Sequence, residues 1–259
     1  MSNNTLLPLR AVLWDVDGTI AETERDGHRV AFNRAFERHG IPWRWSVEHY
    51  GELLAIAGGR ERALHDMESR PDAPATAGER EALARALHAT KNAEYARILA
   101  LGEIVLRPGV RELMEECRTR GLRMGITTTT SRENIDALLS RQLSPEWRGM
   151  FDVVLAGEDV SRKKPDPEVY ERALQLMDLA PQDAVALEDS PAGVAAARGA
   201  HIPVVVARSV YFTNVPLDGA LAIGPSLGAR EGWSPPMCAE VPRAGVGVDD
   251  LVTWLRLGA

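Results

Sequence analysis

The sequence predicts an α/β protein: a doubly wound parallel sheet interrupted after its first strand by an all-helical insert. Three observations carry that expectation. An apolar run, Ala11–Trp14, ends in Asp15-Val16-Asp17-Gly18-Thr19, as a core strand running into a polar turn does. From residue 122 to 207, short apolar runs alternate with segments of helical period, the pattern of strand–helix–strand units. Between residues 24 and 104 helical periodicity occurs without a convincing strand.

The elements follow in order. After the 15–19 turn, Val30, Ala31, Phe32, Ala35 and Phe36 recur at helical spacing over 26–40, stopped by Gly40-Ile41-Pro42. Further helices are expected over 47–54, 60–67 and 79–101, separated by Gly58-Gly59 and by a Pro/Ala/Gly loop over 71–78. Trp43 and Trp45 read as packing of this insert. Arg107-Pro108-Gly109 opens a helix whose apolar face is Val110, Leu113, Met114 and Cys117, capped by Gly121. Strands are then expected over 122–127, 153–156, 184–187 and 203–207, with helices over 131–139, 167–177 and 192–200 between them. The Pro- and Gly-rich tail holds a short strand over 220–223 and a helix over 249–257. The organisation is thus a Rossmann-like core over 1–23 and 105–259, with a helical-bundle cap domain over 24–104 placed just after the first strand.

Composition narrows the class. The 259 residues suffice for a large α/β domain or for a core with an insert. With 45% hydrophobic and 26% charged residues the chain is that of an ordinary soluble protein, without an apolar run of membrane-helix length. Residues 1–10 carry no secretory or transit pattern, so a cytoplasmic location is expected. Cys117 and Cys238 are too few for a disulfide framework or a thiolate metal cluster. A net charge of −7 opposes nucleic acid and acidic membranes, so an anionic small-molecule substrate needs a local basic pocket. Among 30 basic residues only Lys91, Lys163 and Lys164 are lysine, which singles them out for tasks that need a compact point charge.

In an open parallel sheet, ligands bind beyond the carboxyl ends of the strands, where Asp15 and Asp17 lie. The motif reads either as a turn with solvated carboxylates or as a carboxylate nucleophile, Asp15, with Asp17 as neighbouring acid/base. A calcium loop is excluded, because Gly18 is fourth and Asp26 twelfth where that loop has Gly sixth and Glu twelfth. Carboxylate nucleophiles suit phosphoryl transfer, whose loose transition state demands placement and charge neutralisation. Glu188-Asp189 ends a strand on the same edge and offers oxygen ligands suited to Mg²⁺. Lys164, ahead of Pro165, is either a solvated turn lysine or the counter-charge to Asp15 and phosphate. Thr127-Thr128-Thr129-Thr130 closes another strand, and Thr128 stands first beyond its buried part.

In this order, Asp15-Val16-Asp17-Gly18-Thr19, Thr128, Lys164-Pro165 and Glu188-Asp189-Ser190 resemble the haloacid dehalogenase superfamily of phosphotransferases over nearly the whole chain. The resemblance implies an aspartyl-phosphate on Asp15, and Asp17 as the acid that protonates the leaving oxygen and then activates water. It implies Mg²⁺ held by Asp15, the Asp17 carbonyl and Asp189 with Glu188 adjacent, and a phosphoryl group steadied by Thr128 and Lys164. The insert resembles the four-helix cap of the branch that contains β-phosphoglucomutase and phosphoglycolate phosphatase.

Thr23-Glu24-Arg25-Asp26-Gly27-His28, Tyr50 to Leu54, Gly58-Gly59-Arg60-Glu61-Arg62 and His88 to Lys91 are similar to CbbY-type phosphatases that hydrolyse xylulose-1,5-bisphosphate, an inhibitory by-product of Rubisco. Arg60 stands where Gly-Gly-Lys-Glu-Arg is usual in that branch. Gly58 and Gly59 expose backbone N–H groups beside Arg60, Glu61 and Arg62, an expected second anion site to which His88 and Lys91 contribute from one helical face. Glu24 and His28 near the hinge, and Thr129, Thr130 and Asn134 beyond Thr128, complete the expected substrate contacts. The expectation is a monomeric, Mg²⁺-dependent sugar-bisphosphate phosphatase linked to Rubisco through its inhibitor. The alternatives are a phosphosugar mutase and a phosphoglycolate-type phosphatase. A non-catalytic binder has no use for a nucleophile and an acid together, and a dehalogenase has no metal for the acidic pair to hold.

Overall fold

The computed structural model describes residues 9–56, 58–237 and 244–258, so Cys238 and residues 1–8 lie outside it. One sheet is built from β1 (Ala11–Trp14), β2 (Arg123–Thr127), β3 (Val153–Leu155), β4 (Ala184–Glu188), β5 (Val204–Ala207) and β6 (Ala222–Gly224). Its order is β3-β2-β1-β4-β5-β6, and every neighbouring pair is parallel. Each residue of β1, β4 and β5 is buried, as strands covered on both faces must be. The chain winds outward from β1 through β2 to β3, then resumes at β4 on the other side of β1. This reversal opens the crevice of a doubly wound sheet at the carboxyl ends of β1 and β4. Trp14 pairs with both Ile126 and Leu187, so the next residue, Asp15, falls level with Thr127 and Glu188.

The chain divides into two compact units, 1–22 with 105–259, and 23–104. The second unit is helical: α1 (Arg29–Arg38), α2 (Val47–Leu53), α3 (Gly59–Glu68) and α4 (Ala77–Leu101). A π-helical turn, Thr23–His28, leads into α1 where the periodicity predicts a helix from residue 26. The helix α4 starts two residues before the expected 79. Thr76 Oγ1 accepts from the Glu79 N–H while the Glu79 carboxylate accepts from the Thr76 N–H, a capping box that draws the start forward. Trp43 and Trp45 join Phe32, Phe36 and Tyr50 in an aromatic core, with Phe32 and Trp45 ring centroids 4.5 Å apart. Buried Asp66 ties this core together. Its carboxylate accepts from Trp45 Nε1 at 2.8 Å and Arg70 Nε at 2.6 Å, and His49 Nε2 lies 2.7 Å away.

In the first unit, α5 (Val110–Thr119), α6 (Arg132–Gln142), α7 (Glu168–Met177) and α8 (Pro191–Gly199) connect the strands, and α9 (Val248–Gly258) closes the described chain. Val169, Tyr170, Ala173, Leu174 and Met177 give α7 one apolar face, which packs with Leu13, Ala186 and Val204 of the sheet. The tail strand β6 starts two residues later than the expected 220, with Ala222 opposite Val205 of β5. Trp254 of α9 stacks on Trp233 at 4.8 Å, anchoring the tail. Among the described residues no helix is long and apolar enough to cross a membrane.

Candidate active site

The site in the sheet unit grows from strand ends. Asp15 follows β1 and its N–H bonds Leu187 O, which holds it against β4. Lys164 reaches the same place from the loop before α7. Its Nζ donates to Asp15 Oδ1 at 2.8 Å and to Glu188 Oε1 at 2.6 Å, with all three side chains nearly inaccessible to solvent. Burial alone would lower the lysine, but Asp15 and Glu188 together hold it well above the ordinary range, so it is an ammonium at any working pH. Tyr170 on α7 donates to Glu188 Oε1 at 2.5 Å, and its ring lies 5.1 Å from the ammonium.

Asp15, Glu188 and Asp189 each offer an oxygen within 4.8 Å of the others. Burial, reinforced by the charge of Asp15, pushes Asp189 well above the carboxylate range, and Glu188 rises to about 7 mainly through burial. Three buried carboxyl groups beside Lys164 form an all-oxygen donor set of the kind that would suit a divalent cation. Two details fit such an ion. Glu188 Oε2 is buried and makes no hydrogen bond among the described residues. Gly193 and Gly18 leave the room: a Cβ on the first would sit 1.8 Å from Glu188 Oε2, and on the second 2.0 Å from Asp189 Oδ2. Asp17, two residues past Asp15, is half-buried, and its carboxylate is outside this three-residue cluster.

Thr128, buried, stands one residue beyond β2, and its Oγ1 accepts from the Thr130 N–H at 3.2 Å. The loop continues through Thr129 and Thr130 into α6, where Ser131 caps the Asn134 N–H. Gly157 admits this loop, since a Cβ there would lie 2.3 Å from Thr129 O.

Residues 9–201 match the haloacid dehalogenase-like hydrolase family. The chain belongs to that family. This haloacid dehalogenase-like hydrolase is 43% identical to the protein CbbY of Rhodobacter capsulatus over 205 residues, 79% of this chain and 88% of the relative. It is 38% identical to the plasmid-borne CbbY of Cupriavidus necator, over 91% of each chain. Among solved structures it resembles a CbbY variant from Rhodobacter sphaeroides in complex with xylulose-(1,5)bisphosphate, with 35% identity, a TM-score of 0.73, and coverage of 94% of this chain and 99% of that one. The chain is therefore a phosphatase of the CbbY type within the hydrolase family.

The helical unit of the hydrolase gathers a second polar cluster. Arg62 Nη1 donates to the Tyr50 hydroxyl at 3.2 Å, and that hydroxyl donates to Glu24 Oε2 at 2.6 Å. The His28 ring stacks on Tyr95 at 3.9 Å, and Lys91 Nζ lies 5.4 Å from the same tyrosine ring. Burial alone would raise Glu24, but His28, Arg62, Tyr50 and Lys91 hold it below its usual value. His88 lies against Gly59, where a Cβ would be 3.1 Å from its Cδ2.

The two arginines of the Gly58-Gly59 segment do not converge. Arg60 turns outward to Glu61 at 2.7 Å and Glu81 at 3.2 Å, while Arg62 turns inward to Tyr50 and to the Ile56 carbonyl. Positions two apart on a helix point to nearly opposite faces, and both belong to α3. Glu61 also folds back over Gly58, whose φ of +94° only glycine adopts easily.

His28 makes a pH test. Burial depresses its imidazole to about 3, opposed by Glu24 and reinforced by Lys91, Arg62 and His88. An unfolded histidine titrates near 6.5, so between pH 3 and 6.5 the unfolded chain binds the extra proton. Stability from this residue is full above about pH 6.5 and is lost as pH falls towards 3. Between pH 7 and pH 5 the protein is expected to lose about 1–2 kcal/mol more than a His28→Gln variant. Urea unfolding at the two pH values measures this, and parallel losses contradict it.

Tyr170 and Arg107 are not foreseen from sequence. Tyr170 sits in an apolar helical stripe that reads as core, and only the fold turns its hydroxyl towards Glu188. Arg107 reads as part of a helix start, yet its guanidinium is buried among loop carbonyls.

Proposed function

We propose that the protein is a Mg²⁺-dependent phosphatase that converts xylulose-1,5-bisphosphate to xylulose 5-phosphate. The observation that carries this reading is Lys164 bridging Asp15 and Glu188 at the carboxyl edge of β1 and β4. A buried carboxylate beside a permanent cation suits attack on a phosphate dianion, which a carboxylate alone would repel. Likeness to a CbbY that holds xylulose-(1,5)bisphosphate supports the substrate.

In this reading an Asp15 oxygen attacks phosphorus in line, and the bond from phosphorus to the sugar oxygen breaks as Asp17 gives that oxygen its proton. Asp17 then takes a proton from water, which attacks the aspartyl-phosphate, releases phosphate and restores Asp15. Lys164 and Thr128 hold the phosphoryl oxygens, extended by Thr129, Thr130 and Asn134. Asp15, Glu188, Asp189 and the Asp17 backbone carbonyl would hold Mg²⁺, whose charge offsets that of the phosphate. Residues 24–104 act as the cap that selects the substrate. Glu24, His28, Arg62, His88 and Lys91, with the backbone of Gly58 and Gly59, recognise the sugar and its second phosphate.

A phosphate-release screen over C5 and C6 mono- and bisphosphates, with and without Mg²⁺, tests the proposal. Preferential, Mg²⁺-dependent release from xylulose-1,5-bisphosphate is expected. A preference for monophosphates overturns the two-anion reading, and isomerised sugar without free phosphate assigns a mutase instead. Gly193→Ala, whose methyl would strike the Glu188 carboxylate, is expected to raise the Mg²⁺ concentration for half-maximal activity about tenfold or more. A Mg²⁺ titration superimposable on that of the parent enzyme contradicts the role of Glu188.

A further inference from the structure

We propose that Arg107 is a positioning residue for the acid chemistry assigned above to Asp17, an inference that rests on that assignment. Arg107 is 9% exposed and lies just after the chain re-enters the sheet unit. Its Nη1 donates to the Gly18 carbonyl and, at 2.8 Å, to Ala207 O. Its Nη2 donates to the carbonyls of Arg208 and Pro225, Nε lies 3.3 Å from Glu22 Oε1, and its own N–H bonds Ile20 O at 2.8 Å. One guanidinium therefore ties the turn after β1 to the loops after β5 and β6. The geometry is that of a planar fork with several donors, which a lysine ammonium cannot reproduce.

The Gly18 carbonyl belongs to the Gly18–Thr19 peptide, one α-carbon beyond the Asp17–Gly18 peptide, whose N–H bonds Ala21 O at 2.7 Å, so Arg107 holds the turn that carries Asp17. The same turn is limited by a second neighbour. Gly18 has φ +86°, and its α-carbon faces Asp189 so closely that a Cβ would lie 2.0 Å from Oδ2. Asp189 leaves no room for a side chain at Gly18 and Arg107 holds the Gly18 carbonyl, so two independent contacts restrict the turn that follows Asp17. Catalytic groups displaced by about 1 Å lose on the order of 10²-fold in rate.

A purely structural role and a role through Asp17 differ in leaving-group dependence. When phosphorus bonds to Asp15, a sugar alkoxide needs a proton from Asp17 as its bond to phosphorus breaks, whereas p-nitrophenolate departs without one. The test compares the full-length parent enzyme with Arg107→Lys and Arg107→Gln, each with Mg²⁺. It measures the pre-steady-state burst of p-nitrophenolate from p-nitrophenyl phosphate, and turnover of phenyl phosphate and xylulose-1,5-bisphosphate. The ratio of rates within one protein is independent of its folded fraction.

The expected result is a roughly 10- to 100-fold fall in kcat for the bisphosphate and phenyl phosphate. KM and the p-nitrophenolate burst rate should stay within about twofold of the parent. In an Asp17→Asn background, Arg107→Lys should add no further loss of kcat on the bisphosphate. An equal fall for all three esters, unchanged kcat, or full additivity with Asp17→Asn overturns the role of Arg107. A parent enzyme that turns over the aryl esters but not the bisphosphate overturns the substrate assignment alone, and the aryl-ester comparison still decides Arg107. Absence of turnover of every ester overturns both.

Discussion

Asp15→Asn is expected to reduce phosphate release about 10⁴-fold or more while leaving the fold intact. The amide matches the carboxylate in shape but is not a nucleophile, so the covalent step has no substitute in the site. Stability should hold or rise, because the change takes charge out of a crowded cluster of three buried carboxyl groups while Lys164 keeps its 2.6 Å contact with Glu188. Phosphate release and a thermal melt on one preparation check both halves. Retention of a tenth of the activity sinks the nucleophile assignment, and a collapsed melt shows that Asp15 is needed for folding instead.

Lys164→Met should show the opposite balance. It removes a basic side chain that bonds both Asp15 and Glu188, each nearly excluded from solvent. Breaking a buried ion pair from one side costs about 3–5 kcal/mol, limited here because the stranded carboxylates take up protons. For a protein of this size that corresponds to a fall in Tm of about 6–20 °C. Activity should fall by about 10² or more, since the charge facing the phosphate is lost. Calorimetry and a phosphate-release assay separate the two effects. An unchanged Tm contradicts the buried bridge, and unchanged kcat contradicts the role of the lysine.

The two variants differ because the site performs two tasks with one set of charges. Acidic groups gathered at a sheet edge repel one another, and the fold tolerates them through Lys164, the Tyr170 hydroxyl and the space left at Gly18 and Gly193. Buried groups in such an arrangement have shifted pKa values, as Glu188 and Asp189 do. A cation bound there stabilises the folded protein as well as the reaction.

Much of this was legible in the residues alone. The parallel sheet follows from apolar runs alternating with amphipathic helices, and β1, α7 and α8 lie within about a residue of where their patterns place them. Asp15, Asp17, Glu188 and Asp189 stood out as candidates because carboxylates just beyond buried strands of an open parallel sheet lie where ligands bind. Thr128 and Lys164 required the additional argument that a phosphate needs a hydroxyl and a cation nearby.

Other features depended on distances that no local pattern encodes. The start of α4 was displaced by a capping box, and that of β6 follows its pairing with β5. Arg60 and Arg62 are near neighbours in sequence, yet helix geometry sends one to Glu81 and the other to Tyr50. Sequence by itself singled out the candidate reaction-bearing residues and the strand ends that carry them, because periodicity and turn chemistry are local properties. Tertiary structure decided how they are held: Tyr170 against Glu188, Arg107 across three loops, and Asp66 under the aromatic core. Those contacts join residues far apart in the chain, and only the packing of the whole fold brings their donors and acceptors within hydrogen-bond reach.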